Sequence, residues 1–463
     1  MAAIYGEERV NYYTNDHQYG AQVAVLAGGG YVVSWVSRGQ DGSDDGIYAQ
    51  RYNSVGMPVG AEFRVNSATA NAQIQPTIVG LSDGGFVVAW SDQYADGSSW
   101  GVFAQRYDAH GVARGSQFLV NQTTLYDQGT PAIAAVDGGF VVTWASQYQD
   151  DGGSYGVYAR RYANDGSPSG AEFAVNSTVS GNQNEPAIAA FDGGGFVVVW
   201  RSDSQDGSSA GVYGQRYDAA GVAAGGEFRV NETTAGGQYQ PDVSAIAGGG
   251  FAVSWYNENY DVSGTGSYQD VYVREYAGDG TALTGQLKAN TPTASQSSQS
   301  EPAIASLGSG NYVVVWRSDG QDGSQSGVYQ QLFGDAAELP RQASPSLGDF
   351  AGTLTFGENL VNATPQIIDP AVSLLDLDSA NLDGGRVEIF YTQFGSAEDQ
   401  LGVRNQGTGV AQIGVSGSTV SYNDGSGAVA IGTLSGGTNG SMLAVNLNAT
   451  NQKQYQLPVI ERP

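Results

Sequence analysis

The sequence has no cysteine, and it has only two histidines, three methionines and two lysines, Lys288 and Lys453. Without cysteine there can be no disulfide, no thiolate nucleophile and no cysteine-ligated zinc. That absence leaves the compartment open, although it suits a chain exported unfolded. Basic residues are scarce as well: 19 Lys and Arg face 46 Asp and Glu, a formal net charge of −27. Such a surface repels nucleic acid and anionic membranes and attracts divalent cations. No apolar run approaches the ~18 residues of a membrane helix, and no signal-peptide pattern follows Met1. The expectation is therefore no nucleic-acid partner and no membrane insertion. Motifs of catalysis are also missing. His17 and His110 fall at different phases of the repeat described below, and there is no Gly-x-Ser-x-Gly elbow, no His-x-x-x-His pair and no phosphate loop. These gaps weigh against an enzyme.

Glycine is abundant instead, with 68 among 463 residues, and it recurs at fixed places between apolar runs. That pattern describes tight turns joining short strands. Six tryptophans, Trp35, Trp90, Trp144, Trp200, Trp255 and Trp316, follow one another at intervals of 54 to 61 residues. Each sits in a unit that reads EF-x-VN, a Thr/Gln-rich stretch, P-x-IA, GGGFVV-x-W, a QDGS turn and GVYAQRYD. The unit near residue 200 predicts an inner strand at Ala187–Ala190, an apolar strand at Phe196–Trp200, then strands at Val212–Tyr217 and Glu227–Asn231. Phe196–Trp200 is apolar without alternation, so both of its faces need cover, which neighbouring units would provide. No helix signal appears. The fold class expected is all-β: a six-bladed β-propeller over residues 1–335, a linker over 336–347 and a second β domain over 348–463. The sixth unit lacks its outer strand, and Glu8-Arg9-Val10-Asn11 carries a spare copy of that strand's sequence. The N-terminal strand is thus expected to close the ring.

The run TFGENLVNATPQIIDPAVSLLDLDSANLDGG resembles the cadherin-like repeats of large secreted bacterial adhesins. The propeller unit, with its QDGS and VYAQRYD runs, is similar to repeats of calcium-dependent, type I-secreted (RTX-type) proteins. The resemblance implies a secreted or cell-surface location, a cadherin-like β-sandwich for the second domain, and Glu358, Asp376 and Asp378 as calcium ligands. Two features depart from it. There is no Gly-Gly-x-Gly-x-Asp array, and the second domain ends at Ile460-Glu461-Arg462-Pro463, where further strands would be expected, so it reads as truncated.

Three constellations are chemically suggestive. Acidic turns, Asp203 with Asp206 and Asp319 with Asp322 among them, fall on one face of the ring, where hard oxygen ligands suit calcium or sugar hydroxyls. The competing reading is that Asp-Gly is simply a preferred hairpin turn. In the second domain Asp376, Asp378, Asp383 and Asp399 extend the acidic density that points to calcium. Finally, Arg201 and Arg317 follow their tryptophans in units 4 and 6, and the unit between them carries Tyr256, Glu258 and Asp261 on a longer loop. Two arginines around such a loop would grip an anionic or hydroxyl-rich sugar, unless they serve only in salt bridges between units. Trp100, outside the template, offers a sugar-stacking face or a cover for the adjacent unit. The function expected from sequence is an extracellular, calcium-associated adhesion module binding polysaccharide or a cell-surface glycan. A polysaccharide-degrading glycosidase or lyase is the alternative, and a structural spacer is the third reading.

Overall fold

A computed structural model gives the structure of the chain. It describes residues 9–334 apart from 151–153, 261–266, 291–297, 309 and 322–324. Beyond these it describes 346–348, 366–367, 373–375, 386–389, 402–403, 406–436 (without 411 and 424), 443–447, 455–456 and 460–462. The chain divides into two compact units, Met1–Asp335 and Ala336–Pro463.

The first unit is a propeller-like succession of antiparallel sheets. Sheet 1 is Gln18–Val25, Tyr31–Arg38, Asp45–Tyr52 and Pro58–Arg64, and sheet 4 is Gln183–Ala190, Phe196–Asp203, Ala210–Tyr217 and Phe228–Arg229. Sheets 2, 3 and 5 repeat this order from Gln73, Gln128 and Gln238, and sheet 6 has three strands, Gln299–Gly308, Asn311–Asp319 and Ser326–Phe333. The continuous apolar strand of each unit is buried on both faces because its two faces belong to different cores. Phe196, Val198 and Trp200 pack toward sheet 3 with Val141, Val157 and Val175. Val197 and Val199 pack toward sheet 5 with Val243, Phe251 and Trp255. Alternate side chains of one strand thus join successive sheets.

The outer strand is shorter than expected, two residues at Phe228–Arg229 where the sequence suggested five. Side chains take over from the ladder there. Asn231 Oδ1 accepts the Val212 N–H at 2.8 Å, while its Nδ2 donates to Thr233 O at 2.9 Å, Gln238 Oε1 at 2.8 Å and Asp206 Oδ2 at 3.1 Å. Asn66, Asn121 and Asn176 make the same set. The conspicuous Asn, Gln and Asp of the repeat are therefore one buried tether, stitching the outer strand to the acidic turn and to the next sheet's inner strand.

In the second unit the largest sheet orders Arg386–Ile389, Leu443–Leu447, Ala428–Gly436, Thr419–Asn423 and Ile413–Ser416 side by side. Ile413, Val420, Ile431 and Val445 form its core. Among the described residues no helix is long and apolar enough to cross a membrane.

Candidate functional site

The inner strands of all six sheets line one axial cavity of about 840 Å³. Its rim is built by a recurring irregularity. In each inner strand the pairing register slips, as between Asn184 and Ala187, so that Glu185 and Pro186 bulge from the ladder. Proline has no N–H to pair, so a bulge on the innermost strand tolerates it. The residue before it lies in the left-handed region: φ is 55° at Gln75, 51° at Thr130, 54° at Glu185, 50° at Gln240 and 54° at Glu301. Gly20 holds the same place in sheet 1 at φ 63°. Such conformations are costly for residues with a Cβ, most of all for β-branched threonine, and they gather where structure positions ligands.

Neighbouring rim residues are linked in one direction around the axis. Gln75 Oε1 accepts the Thr130 N–H at 3.2 Å, Glu185 Oε2 that of Gln240 at 2.9 Å, and Gln240 Oε1 that of Glu301 at 3.1 Å. Each side chain thereby satisfies the backbone donor that the next bulge frees.

Carboxylates enter the cavity from sheets 4, 5 and 6. Glu185 and Glu301 stand on the rim. Asp242 lies one step deeper, where sheets 3, 4 and 6 have Ala132, Ala187 and Ala303. It accepts the N–H groups of Val243 and Ile304, each at 2.9 Å. Burial outweighs those two bonds and pushes its pKa up to about 6. Nothing in the repeat pattern marks Asp242 as acidic by need. The signal available in sequence was an Asp at a position its sister units fill with small residues.

The arginines singled out from sequence flank this region, and their ion pairs lie within their own sheets. Arg201 pairs with Asp203 at 2.8 Å and Glu185 at 3.2 Å, and stacks over the Tyr239 ring at 4.8 Å. Arg317 pairs with Glu301 at 3.1 Å and Asp319 at 3.0 Å. Tyr256 lies 5.4 Å from Tyr239, centroid to centroid. Burial, aided by the nearby Glu185, pushes its hydroxyl up to about 12. Arg201 and Tyr256 are thus brought together, with Glu258 near enough to act on Tyr256 electrostatically. Arg317 belongs to a separate cluster around Glu301. Asp261 lies outside the described residues. The expected salt bridging is present but runs within sheets 4 and 6, not between sheets.

Trp100 is half-buried at the start of its strand and lines a second hollow of about 410 Å³ beside the rim. Of the proposed calcium ligands, Asp206 is spent on protein donors, the Ser208 N–H at 3.0 Å and Asn231 Nδ2 at 3.1 Å. Asp322, Glu358, Asp376, Asp378, Asp383 and Asp399 lie outside the described residues. Among the described residues no three His, Asp or Glu side chains gather to hold a metal.

No family model matches the chain, and no curated protein does. Solved structures resemble part of it. An α-L-arabinanase of Penicillium chrysogenum complexed with arabinobiose is 14% identical with a TM-score of 0.48, covering 71% of this chain and 96% of that one. An α-L-arabinofuranosidase of Fusarium graminearum with arabinobiose is 12% identical with a TM-score of 0.44, covering 68% and 93%. A protein of unknown function from Dyadobacter fermentans is 11% identical with a TM-score of 0.47, covering 68% and 95%. Two expectations are corrected. The kinship with RTX-type adhesins and their cadherin-like domains is withdrawn, since no family model supports it. The leaning against an enzyme is withdrawn on chemical grounds. It rested on missing histidine, serine and phosphate motifs, whereas glycoside cleavage needs only two carboxyl groups. Those arrive from separate strands and leave no local motif.

Proposed function

We propose that the chain is a polysaccharide-degrading glycosidase whose site is the axial cavity, with Asp242 as the proton donor. The observation that carries this is Asp242 itself, a carboxyl group whose pKa of about 6 leaves it about half protonated at pH 6 and about a tenth protonated at pH 7, far more than an ordinary aspartate. A glycosidic oxygen needs such a donor, and a second carboxylate acts from the other side of the sugar. Glu185, held by Arg201, is the assigned partner, because it lines the same cavity from the adjacent sheet. Glu301 stands on the opposite flank of Asp242 and is the other carboxylate within the cavity.

The scaffold under this site is proposed to be a ring of six blades closed by the N-terminal segment. Asn11 Nδ2 donates to Tyr13 O at 2.6 Å and Gln18 Oε1 at 3.2 Å, as Asn66 does to Ala68 O and Gln73 Oε1. Asn11 therefore stands to sheet 1 as Asn66 stands to sheet 2, and among the described residues sheet 6 has no outer strand. Val328 of sheet 6 is 82% exposed, while its counterparts Val102, Val157 and Val212 are 0% exposed, so the described residues leave this strand uncovered and the closing strand is the part that is proposed. Glu8, at the head of the closing segment, lies outside the described residues.

The test is reducing-end release from a panel of polysaccharides, arabinan among them. Asp242→Ala installs the residue three sister sheets carry, so the fold should survive. The wild type is expected to release sugars with a rate that declines as pH rises above about 6, and the variant to lose at least a hundredfold. Binding without product from any polysaccharide would return the chain to the adhesion class.

A further inference from the structure

The half of the rim opposite the arginines is open. Sheets 4 and 5 fill the space above their inner strands with Arg201, Tyr239 and Tyr256, stacked and paired as described. At the matching positions sheets 2 and 3 carry Ser91, Ala145 and Gly129, and the hollow of about 410 Å³ lies there. Its walls are Trp100, Tyr155, Asp127 and Asn184, and it shares Gln75 and Thr130 with the axial cavity. The hollow is thus the place where the repeat omits its own plug.

Its polar groups are incompletely used. The Tyr155 hydroxyl donates to Asp127 Oδ2 at 3.1 Å. Burial first, and the Asp127 charge second, push that hydroxyl up to about 12, so it remains a donor at any working pH. The other carboxylate oxygen, Asp127 Oδ1, is shielded from solvent and has no partner, and the same holds for Asn184 Oδ1. Shielded acceptors without donors are rare in folded proteins, because each forfeits its hydration. A hydroxyl donor would complete them once these side chains, both of which line the hollow, turn their free oxygens toward it. Trp100 adds a partly exposed aromatic face, and the hollow has no Arg or Lys in its lining. A carboxylate wall without a cation repels acidic sugars.

We infer that this hollow is a subsite for one neutral sugar unit, stacked on Trp100 and hydrogen-bonded by its hydroxyls to Asp127 and Asn184, beside the axial cavity. It sets the enzyme's preference for uncharged over uronic-acid polysaccharide at the sheet 2–3 side. This rests on the axial cavity being a polysaccharide site, but its test reads binding and not turnover.

Six of the seven tryptophans are at most 4% exposed, so quenching of tryptophan fluorescence by acrylamide reports Trp100 almost alone. The probes are neutral arabino- and xylo-oligosaccharides and, as the charged control, oligogalacturonate. A neutral probe is expected to shield Trp100 from acrylamide, with oligogalacturonate at least tenfold weaker. Gly129→Tyr restores the residue that Tyr19 and Tyr239 supply in sheets 1 and 5. Its Cβ would meet only Ser91 Oγ at 3.4 Å and Gln75 Oε1 at 3.9 Å, so the fold should accept it. This variant should melt as the wild type does and lose the shielding at least tenfold. Trp100→Ala, the residue that sheet 4 carries as Ala210, should weaken the same probe by calorimetry. The subsite is overturned if no neutral probe shields Trp100, if oligogalacturonate binds equally, or if a folded Gly129→Tyr protein binds unchanged. Shielding lost in Gly129→Tyr with no sugar release by the wild type keeps the subsite and removes the glycosidase reading.

Discussion

Asp242 ties a stability experiment to the proposed chemistry. Its carboxyl titrates near 3.8 when unfolded and about 6 when folded. The folded state therefore holds the proton more tightly. The stabilisation it brings is fully present below about pH 4 and is lost as pH rises through about 6, up to about 3 kcal/mol for a shift of this size. Asp242→Ala should erase that dependence. The melting temperature of the variant, relative to wild type, should climb between pH 4 and pH 7 and stay level above. A parallel pair of curves would mean that Asp242 is not held protonated. The identity of this residue was plain in the sequence, but its burial was not, because nothing local separates a wall position from an exposed turn. The arginines show the reverse. Arg201 and Arg317 stood out as departures from template, and their ion partners Glu185 and Glu301 occupy the residue before proline in the same units.

At the scale of the element, the Asn–Asp–Gln tether explains why outer strands of two residues suffice. Removing its centre strands a buried N–H at Val212 and frees Gln238 Oε1, which lies in the next sheet's inner strand. Asn231→Ala should destabilise the first unit by about 2–4 kcal/mol. Urea titration should show a lower midpoint at unchanged slope. A loss below about 0.5 kcal/mol would reduce the tether to decoration. Strand order and the doubly covered second strand were legible from periodicity, since an apolar run without alternation has only one use in a repeat sheet. The rim bulge was not legible. A residue before proline reads as extended, so Thr130, Glu185 and Glu301 gave no sign of their left-handed backbone. Asp206 gave no sign either that a neighbouring amide, Asn231 Nδ2, donates to its carboxylate.

For the whole first unit, the decisive experiment is at the N-terminus. If Asn11 completes sheet 6, deleting residues 1–11 removes the only segment proposed to cover the Val328 strand and leaves an open edge. Lower melting temperature and concentration-dependent association are expected by scanning calorimetry and light scattering. A monodisperse deletion variant with unchanged melting would refute closure. The count of repeats made the succession of six antiparallel sheets foreseeable, whereas the axial cavity required knowing which strand lies innermost and which side chains its slips expose.

Five of the six rim residues precede proline and Gly20 precedes alanine, so one backbone geometry carries several different side chains. Glycine, glutamine, threonine, glutamate, glutamine and glutamate already occupy the six places on one geometry. The mouth of the protein is in effect a word of six letters on a constant frame. If the cavity is the site proposed above, a new spelling is expected to alter what enters while the bulged backbone that carries it keeps its shape.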